Sequence, residues 1–461
     1  MFNLFLHNYR SFQKQKLNFS RVNIFIGENS GGKSSLLKLL LTLKQTLDSP
    51  SEVNLKLSGD LTDLGNFDEV VYYKKKNRKI VVGFDDELNY NSYFEDFLGL
   101  LDEHENLEVN KANTDKLKSE FANSKTSILF EFSSKLNEHS SIKTVIKNSK
   151  LGSVEILQAK GKEDAIGRQL TCDVIFNFED EQGVISNCGA AKEGFLTLIE
   201  PEIKIKCKKY FGNRGDYFFY KIAYFLVFQN YLQDQIDKIR FVNPIGTSPK
   251  RFYFQEDKKA NYKSIDIEKF INILSDKTLS EKGYKNRINL LNKTLKSFGI
   301  ADQIDIIRDK QLPVLALNVK TKDFWSNITD VGYGVSLQIP ILFQALLSEH
   351  YTKGQTLLIE QPEVHLHPSL QAKFIETLLG IGNKNTYFIE THSEHIIRKL
   401  QILVKKKEFG LRPEDITIHY FKRDPLKFSI TSHTINSSGQ LMPAFPAGFF
   451  DTSYSLVKQL L

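Results

Sequence analysis

Four short stretches carry the residues that could do chemistry. The first is Gly27-Glu28-Asn29-Ser30-Gly31-Gly32-Lys33-Ser34-Ser35, which fits the pattern G-x-x-x-x-G-K-[ST]. Its context fits too. Residues 22–26 are a short apolar run that reads as a buried strand, and residues 34–43, rich in Leu and Lys, read as a helix. Strand, glycine turn and helix start together place backbone N–H groups around a phosphate at the positive end of a helix dipole. In that arrangement Lys33 reaches the β- and γ-phosphates and Ser34 binds Mg²⁺. A Gly/Ser loop matching by chance is the competing reading, and the joint arrival of all three parts weighs against it.

The second stretch, Asp330-Val331-Gly332-Tyr333-Gly334-Val335-Ser336, runs into a helix expected over 337–347 and offers another helix N-terminus to a phosphate. The third, residues 356–368, is an apolar strand that delivers Glu360 to its tip, followed by Gln361, Pro362, Glu363, His365 and His367. A strand-end carboxylate is what Mg²⁺ beside a triphosphate requires. The fourth is the strand 386–389, ending in Glu390-Thr391-His392-Ser393-Glu394-His395, where a histidine at the tip can bond a γ-phosphate or an attacking water. Four of the ten histidines fall between 365 and 395, so zinc is an alternative there. His365 and His367 would share a face only if extended, His392 and His395 only on a helix, and no cysteine accompanies them.

The elements that must position these residues read as follows. Strands are expected over 1–7 and 16–19 around a turn at 8–12, so a small β-unit precedes the phosphate loop. Asp68 is the expected N-cap of a short helix reaching Tyr73. The basic cluster 74–79 is either a solvated loop or a DNA contact. Strands are expected at 80–84, 127–132, 154–158 and 172–178, and 95–125 leans towards helix. The aromatic stretch 218–237 reads as a helix, in the core or at a subunit interface rather than stacking bases, since its apolar residues cover more than one face. A strand at 238–242, charged helices over 264–298 and a strand at 312–320 lead back to the chemistry. The C-terminal stretch reads as strands at 416–421 and 427–435, a turn at 437–439 and a helix over 452–461 capped by Asp451. Its aromatics are packing residues or a partner-docking face.

Bulk composition agrees with a globular chain: of 461 residues, 41% are apolar and 25% charged, enough for a large core. No apolar run approaches the ~18 residues of a membrane span, and the N-terminus lacks the pattern of a signal peptide. Cys172, Cys188 and Cys207 have no metal-like spacing, which suits a reducing cytoplasm. A net charge of +7 permits a nucleic-acid partner without requiring one.

Phosphate loop, glycine-serine signature, strand-end carboxylate and strand-end histidine, in that order, resemble the ABC-type ATPases. The phrases Ile359-Glu360-Gln361-Pro362-Glu363-Val364-His365-Leu366-His367-Pro368 and Pro446-Ala447-Gly448-Phe449-Phe450-Asp451 narrow the likeness to single-chain bacterial ATPases related to the OLD (overcoming lysogenization defect) and Rad50-like groups. Among these the chain resembles the PtuA-type ATPases of the Septu anti-phage system and of some retrons, with the AriA subunit of PARIS more distant. The likeness covers residues 1–85 and 310–461. It implies an α/β ABC-type P-loop ATPase head, a mixed sheet flanked by helices, with an inserted α/β and helical middle region; no heptad run suggests a long coiled coil. The implied division is 1–85 and 311–405 as the two halves of the ATPase domain, 86–310 as the insertion with a helical subdomain at 256–300, and 406–461 as a family tail.

Carried over by position, the resemblance implies that Gly27, Asn29, Gly32, Lys33, Ser34 and Ser35 bind ATP·Mg²⁺ in one subunit. Gly334 and Ser336 would reach that ATP from a second copy, so a homodimer or higher oligomer follows. Glu360 takes the Walker B position and, with Ser34, would hold the metal; His367 takes the D-loop position and His392 the switch position. Two departures matter. The signature is Gly-Tyr-Gly-Val-Ser, and Gln361 stands where the family carries its catalytic glutamate. An amide can orient water but cannot take its proton. Glu363 is the candidate substitute base. Expected is ATP binding with slow or conditional hydrolysis in a subunit that regulates a separate HNH-type nuclease, no nuclease motif being recognised in this chain. The alternatives are a Rad50-like DNA clamp with DNA-stimulated hydrolysis, and a nucleotide-gated scaffold.

Overall fold

A computed structural model describes residues 3–49, 55–74, 78–86, 93–94, 96, 111–121, 124–133, 143–159, 163–164, 167–168, 170–193, 196–199, 203–242, 248–254, 264–276, 279–309, 311–424 and 427–446. The fold is α/β and its contacts divide the chain into two units, Met1–Phe19 with Lys38–Asp237, and Ser20–Leu37 with Lys238–Leu461. The expected domain lines run differently. The first 19 residues group with the middle region, and only the phosphate loop and its flanks group with the second half of the chain.

The first unit is built on a nine-stranded sheet that runs through the line drawn at 85/86. Asn3–Tyr9 pairs antiparallel with both Phe12–Leu17 and Ile80–Asp86, and the ladder continues through Thr126–Phe132 and Lys143–Asn148 to Gly152–Ala159 and beyond. Thr126–Phe132 shows why: its residues alternate buried and half-buried, the pattern of a strand with one face on a core. The aromatic helix Gly215–Asp237 buries fifteen of its 23 residues, Phe218, Phe225 and Phe228 among them, so its rings are core. Near the start of the unit, Asn66 rather than Asp68 is the N-cap, of the short helix Phe67–Val70. The Glu69 carboxylate reaches back to accept from the Asn66 N–H at 3.0 Å, which fixes the helix start two residues earlier than expected.

The second unit holds an eight-stranded sheet. In spatial order its strands are Ser264–Ile265, Ile239–Val242, Thr356–Glu360, Thr386–Glu390, Val22–Gly27, Ile416–Asp424, Lys427–Ile435 and Leu441–Met442. The first six are parallel, and each of the last two runs antiparallel to the strand before it. Val22–Gly27 is buried at every position, as a strand covered on both faces must be. The helices Tyr333–Tyr351, Pro368–Gly380 and Glu394–Lys406 pack with this sheet around one core that includes Ile24, Ile26, Leu342, Phe374, Ile389 and Ile397.

The region expected to be a lateral helical subdomain is part of that same core. Ile267–Leu274, capped by Asp266, and Glu281–Phe298, capped by Ser280 and stopped by Gly299 at φ 86°, contribute Phe270, Leu291, Leu295 and Phe298 to it. A smaller antiparallel sheet of Tyr253–Phe254, Val314–Thr321, Gln303–Arg308 and Phe324–Asn327 completes the unit. Among the described residues no long coiled coil occurs, and no helix is long and apolar enough to cross a membrane. Asp451 and the expected final helix lie outside the described residues.

Candidate functional site

Every described piece of the candidate site belongs to the second unit. The loop between Val22–Gly27 and the helix Lys33–Leu47 turns on three residues with left-handed backbone, Gly27 at φ 140°, Ser30 at φ 59° and Gly32 at φ 95°. At Gly27 a glycine is obligatory for a second reason: a Cβ there would stand 2.0 Å from the carbonyl oxygen of Phe421. That carbonyl accepts the Glu28 N–H at 3.2 Å, so the strand Ile416–Asp424 braces the loop from the side. The Lys33 ammonium sits inside the loop and donates to the Gly27 and Glu28 carbonyls at 3.0 and 2.8 Å. Burial lowers its pKa, opposed by Glu390 first and then by Glu28 and Glu363. Asn29 is exposed and Ser35 half-buried at the loop mouth.

The strand tips beside this loop carry the acids. Glu360 and Glu390 are direct partners in neighbouring parallel strands, and Glu390 is in turn the partner of Phe25 on the loop strand. The Ser34 hydroxyl donates to Glu390 Oε1 at 2.8 Å. Glu390 therefore holds the loop serine, and the sequence reading gave it no role. The signal was present: Thr386–Glu390 is an apolar strand ending in a carboxylate, as Thr356–Glu360 is.

Past Glu360 the chain turns sharply. Gln361 has φ 44° and donates its N–H to the Glu390 carbonyl at 2.7 Å. Strand alternation ends there, and Glu363 points inward, 9% exposed. Its Oε1 accepts the His392 N–H at 2.6 Å, while its Oε2 is buried without a hydrogen-bond partner among the described residues. Burial raises the Glu363 carboxyl above its ordinary range, against the pull of the His392 and Glu363 N–H groups, the Thr391 hydroxyl and Lys33. The His392 imidazole is exposed at the tip, and burial of its inner edge and the Lys33 charge hold its pKa below the ordinary value. It is a neutral ring at neutral pH, able to donate from one nitrogen and accept at the other.

The signature segment is tied to this turn. Gln338 donates to the Pro362 carbonyl at 2.7 Å, a Cβ on Gly334 would meet the His365 carbonyl oxygen at 2.7 Å, and the Tyr333 ring stands edge-on to the His365 ring, centroids 5.0 Å apart. Ser336 is 3% exposed and spends its hydroxyl on the Tyr333 carbonyl at 2.7 Å, so Gly332 and Tyr333 are the more open residues at this helix start. His367 caps the helix Pro368–Gly380, its Nδ1 accepting from the Ser369 N–H at 3.3 Å. Among the described residues no three His, Cys, Asp or Glu converge as a metal ion would need, and the four histidines at 365–395 form no such group.

The model of the AAA ATPase domain family matches residues 1–397. The chain belongs to that family. A second model, described as a protein of unknown function (DUF3696), matches residues 411–460. A comparison with curated proteins finds no match. Solved structures similar to the chain include an SMC head bound to the C-winged helix domain of ScpA, 10% identical with a TM-score of 0.45 over 94% of this chain and 97% of that one. The SMC head domain from Thermotoga maritima is 9% identical with a TM-score of 0.37, over 93% and 97%. An Smc head domain with an extended coiled coil, bound to the C-terminal domain of ScpA derived from Pyrococcus furiosus, is 8% identical with a TM-score of 0.39, over all of both chains.

The family is one of ATPase domains, for which a nucleotide and as a rule Mg²⁺ are implied. The residues fit both. The loop leads into a helix start, the Lys33 ammonium is held inside it, and Ser34 is already bonded to a carboxylate. The cation, when bound, supplies charge neutralisation at the triphosphate.

Proposed function

We propose that this chain is the ATP-binding subunit of a defence complex, one that senses nucleotide and restrains a separate HNH-type nuclease, hydrolysing ATP slowly or only on a trigger. The observation that carries the slow hydrolysis is the disposition of possible bases. Gln361 has no proton-accepting side chain. Glu363, the nearest substitute in sequence, has one oxygen committed to the His392 N–H and the other buried. A base reaches the substrate water only if it lies within hydrogen-bond reach of it, so Glu363 acts only after the His392 loop shifts. Such a site holds ATP readily and turns it over on condition.

The nuclease partner and the defence role rest on the likeness of the 359–368 and 446–451 phrases to PtuA-type ATPases. Assembly into a dimer or higher oligomer, with Gly334 and Ser336 of one copy meeting the ATP of another, rests on the ABC likeness. For Ser336 to take part, its hydroxyl must leave the Tyr333 carbonyl.

The test is ATP binding, turnover and solution mass of the purified chain, with and without DNA, beside Lys33→Ala. Expected are ATP binding that Lys33→Ala abolishes, an oligomer, and turnover far below the roughly 10 per second of a median enzyme. Steady turnover at that level would refute slow hydrolysis, and stimulation by DNA would favour a Rad50-like clamp. The partner is tested by co-expression with a candidate HNH-type nuclease. A stable complex whose DNA cleavage rises when ATP is depleted is expected, and cleavage unaffected by the ATPase would overturn the restraint.

A further inference from the structure

Sequence places one acid, Glu360, at the metal. The structure hydrogen-bonds a different acid to the loop serine. In the parallel sheet the strand of Glu390 lies between that of Glu360 and the loop strand, and the three meet in register at Glu360, Glu390 and Phe25. Neighbouring strands are about 4.8 Å apart, so Glu360 starts one strand further from the loop than Glu390 does. Partners in a parallel ladder point to the same face, so the two carboxylates stand side by side.

Glu390 uses that position. It is 3% exposed, and it holds the Ser34 hydroxyl at 2.8 Å, the group through which a P-loop addresses Mg²⁺. Its backbone carbonyl takes the Gln361 N–H, which ties Glu390 to the position from which the usual glutamate is missing. Two adjacent carboxylates at neighbouring strand tips favour a cation nearby. Lys33 supplies one charge, and its ammonium is bonded to loop carbonyls. Mg²⁺ is bound in such sites by one or two carboxylates plus phosphates rather than by a protein cage.

We propose that Glu390 is the carboxylate that addresses the Mg²⁺ bound at Ser34, forming with Glu360 a two-glutamate tip in which Glu390 is the nearer member. This rests on the reading of the loop as an ATP·Mg²⁺ site. The consequence is a nucleotide pocket whose affinity depends steeply on the metal. With the cation the two acids are neutralised.

The experiment measures binding of a fluorescent ATP analogue to the full chain in Mg²⁺ and in EDTA, for the wild type, Glu390→Gln, Glu360→Gln and Lys33→Ala. Thermal melts check each variant. Glu390→Gln retains an acceptor for Ser34, so the loop keeps its hydrogen bond. Expected is a loss of Mg²⁺-supported affinity of about 10- to 100-fold for Glu390→Gln, larger than for Glu360→Gln, with EDTA affinity unchanged or tighter. A latch that only orients Ser34 would instead leave both affinities alone or weaken both together, and either result overturns the proposal. Should Glu390→Gln melt early, Glu390→Asp is the second variant. It keeps the charge and moves it back, and the proposal then requires a smaller Mg²⁺-specific loss. Failure of the underlying reading looks different: the wild type itself binds no ATP analogue in Mg²⁺, or binds it no better than Lys33→Ala does.

Discussion

Replacing Glu363 by Gln separates the two tasks that residue could have. In the wild type the side chain is buried, one oxygen accepts the His392 N–H at 2.6 Å, and the other has no hydrogen-bond partner among the described residues. Leaving a buried polar atom unsatisfied costs about 1–3 kcal/mol, more when the group is charged. Gln keeps the accepting oxygen and removes the charge, so at pH 8 the variant should be more stable by about 1 kcal/mol. For a unit of this size that is roughly 2–4 °C in Tm. The sign depends on pH. The folded-state pKa of Glu363 is raised, so the folded state binds the proton more readily than the unfolded one. The carboxyl's contribution is fully present below its unfolded pKa and is lost as pH rises through the folded one, so the advantage of Gln should vanish in acid. Turnover is the second readout. If Glu363 takes the proton from water, the variant loses about 10²- to 10⁴-fold in rate while still binding ATP. The assay is a thermal melt at pH 5 and pH 8 beside phosphate release under saturating ATP. A variant that melts earlier than wild type at pH 8 and still hydrolyses at the wild-type rate would refute both the burial argument and the base assignment.

Three further outcomes follow from single contacts. Gly27→Ala places a Cβ 2.0 Å from the Phe421 carbonyl oxygen at a φ of 140°; backbone strain alone costs about 1–3 kcal/mol, and a melt with ATP titration should show lower stability and lost binding together. His419 is buried against the Phe25 ring with its Nδ1 3.0 Å from the Ser432 hydroxyl, and burial with the neighbouring His433 lowers its pKa from 6.5 to about 3. Because the unfolded chain takes the proton first, stability should fall as pH drops through that window, by about 2 kcal/mol between pH 7 and pH 5 at 1.36 kcal/mol per unit, and His419→Phe should remove this part of the acid sensitivity. Lys221 is almost wholly buried, pairs with the half-exposed Asp180 at 3.0 Å and lies over the Phe178 ring. Since a well-packed apolar chain replaces a buried ion at little net cost, Lys221→Met should melt within about 1 kcal/mol of the wild type, whereas a large loss would mean that the charge itself is needed.

Much of the site was legible because its pieces are local. The strand, loop and helix around Lys33, the strand under Glu360 and the strand before His392 are each a short apolar run beside a motif, and each lies where the sequence reading put it. Spatial order was not legible. That Glu390 lies beside Ser34 follows from which strands are neighbours, and those neighbours come from residues 22–27, 386–390 and 416–424. The strand Gln182–Glu193 was missed because Gly183, Gly189, Ala190 and Ala191 give it little β-propensity, and its partner strands decide its state. Gln303–Arg308 was overlooked although its inward Ile304 and Ile306 alternate with exposed Gln303 and Asp305.

The C-terminal stretch matched only as a protein of unknown function is inseparable from the nucleotide loop. Ile416–Asp424 runs parallel to Val22–Gly27 from Ile416 opposite Val22 to Phe421 opposite Gly27, so one sheet crosses the gap between the two family models. The Phe421 carbonyl fixes the Glu28 N–H and leaves no room for a side chain at Gly27. A P-loop glycine is ordinarily explained by the phosphate it must approach. Here the same residue also answers to a strand far along the chain, and closing that loop carries an entropic cost that the sheet contacts must exceed. The loop is therefore shaped only when 416–424 is in place, and the His419 ring stacked on Phe25 extends the brace two pairs of residues back along the strand. Any partner that moved the 416–435 hairpin would move the wall of the phosphate loop with it, with no contact to the nucleotide itself.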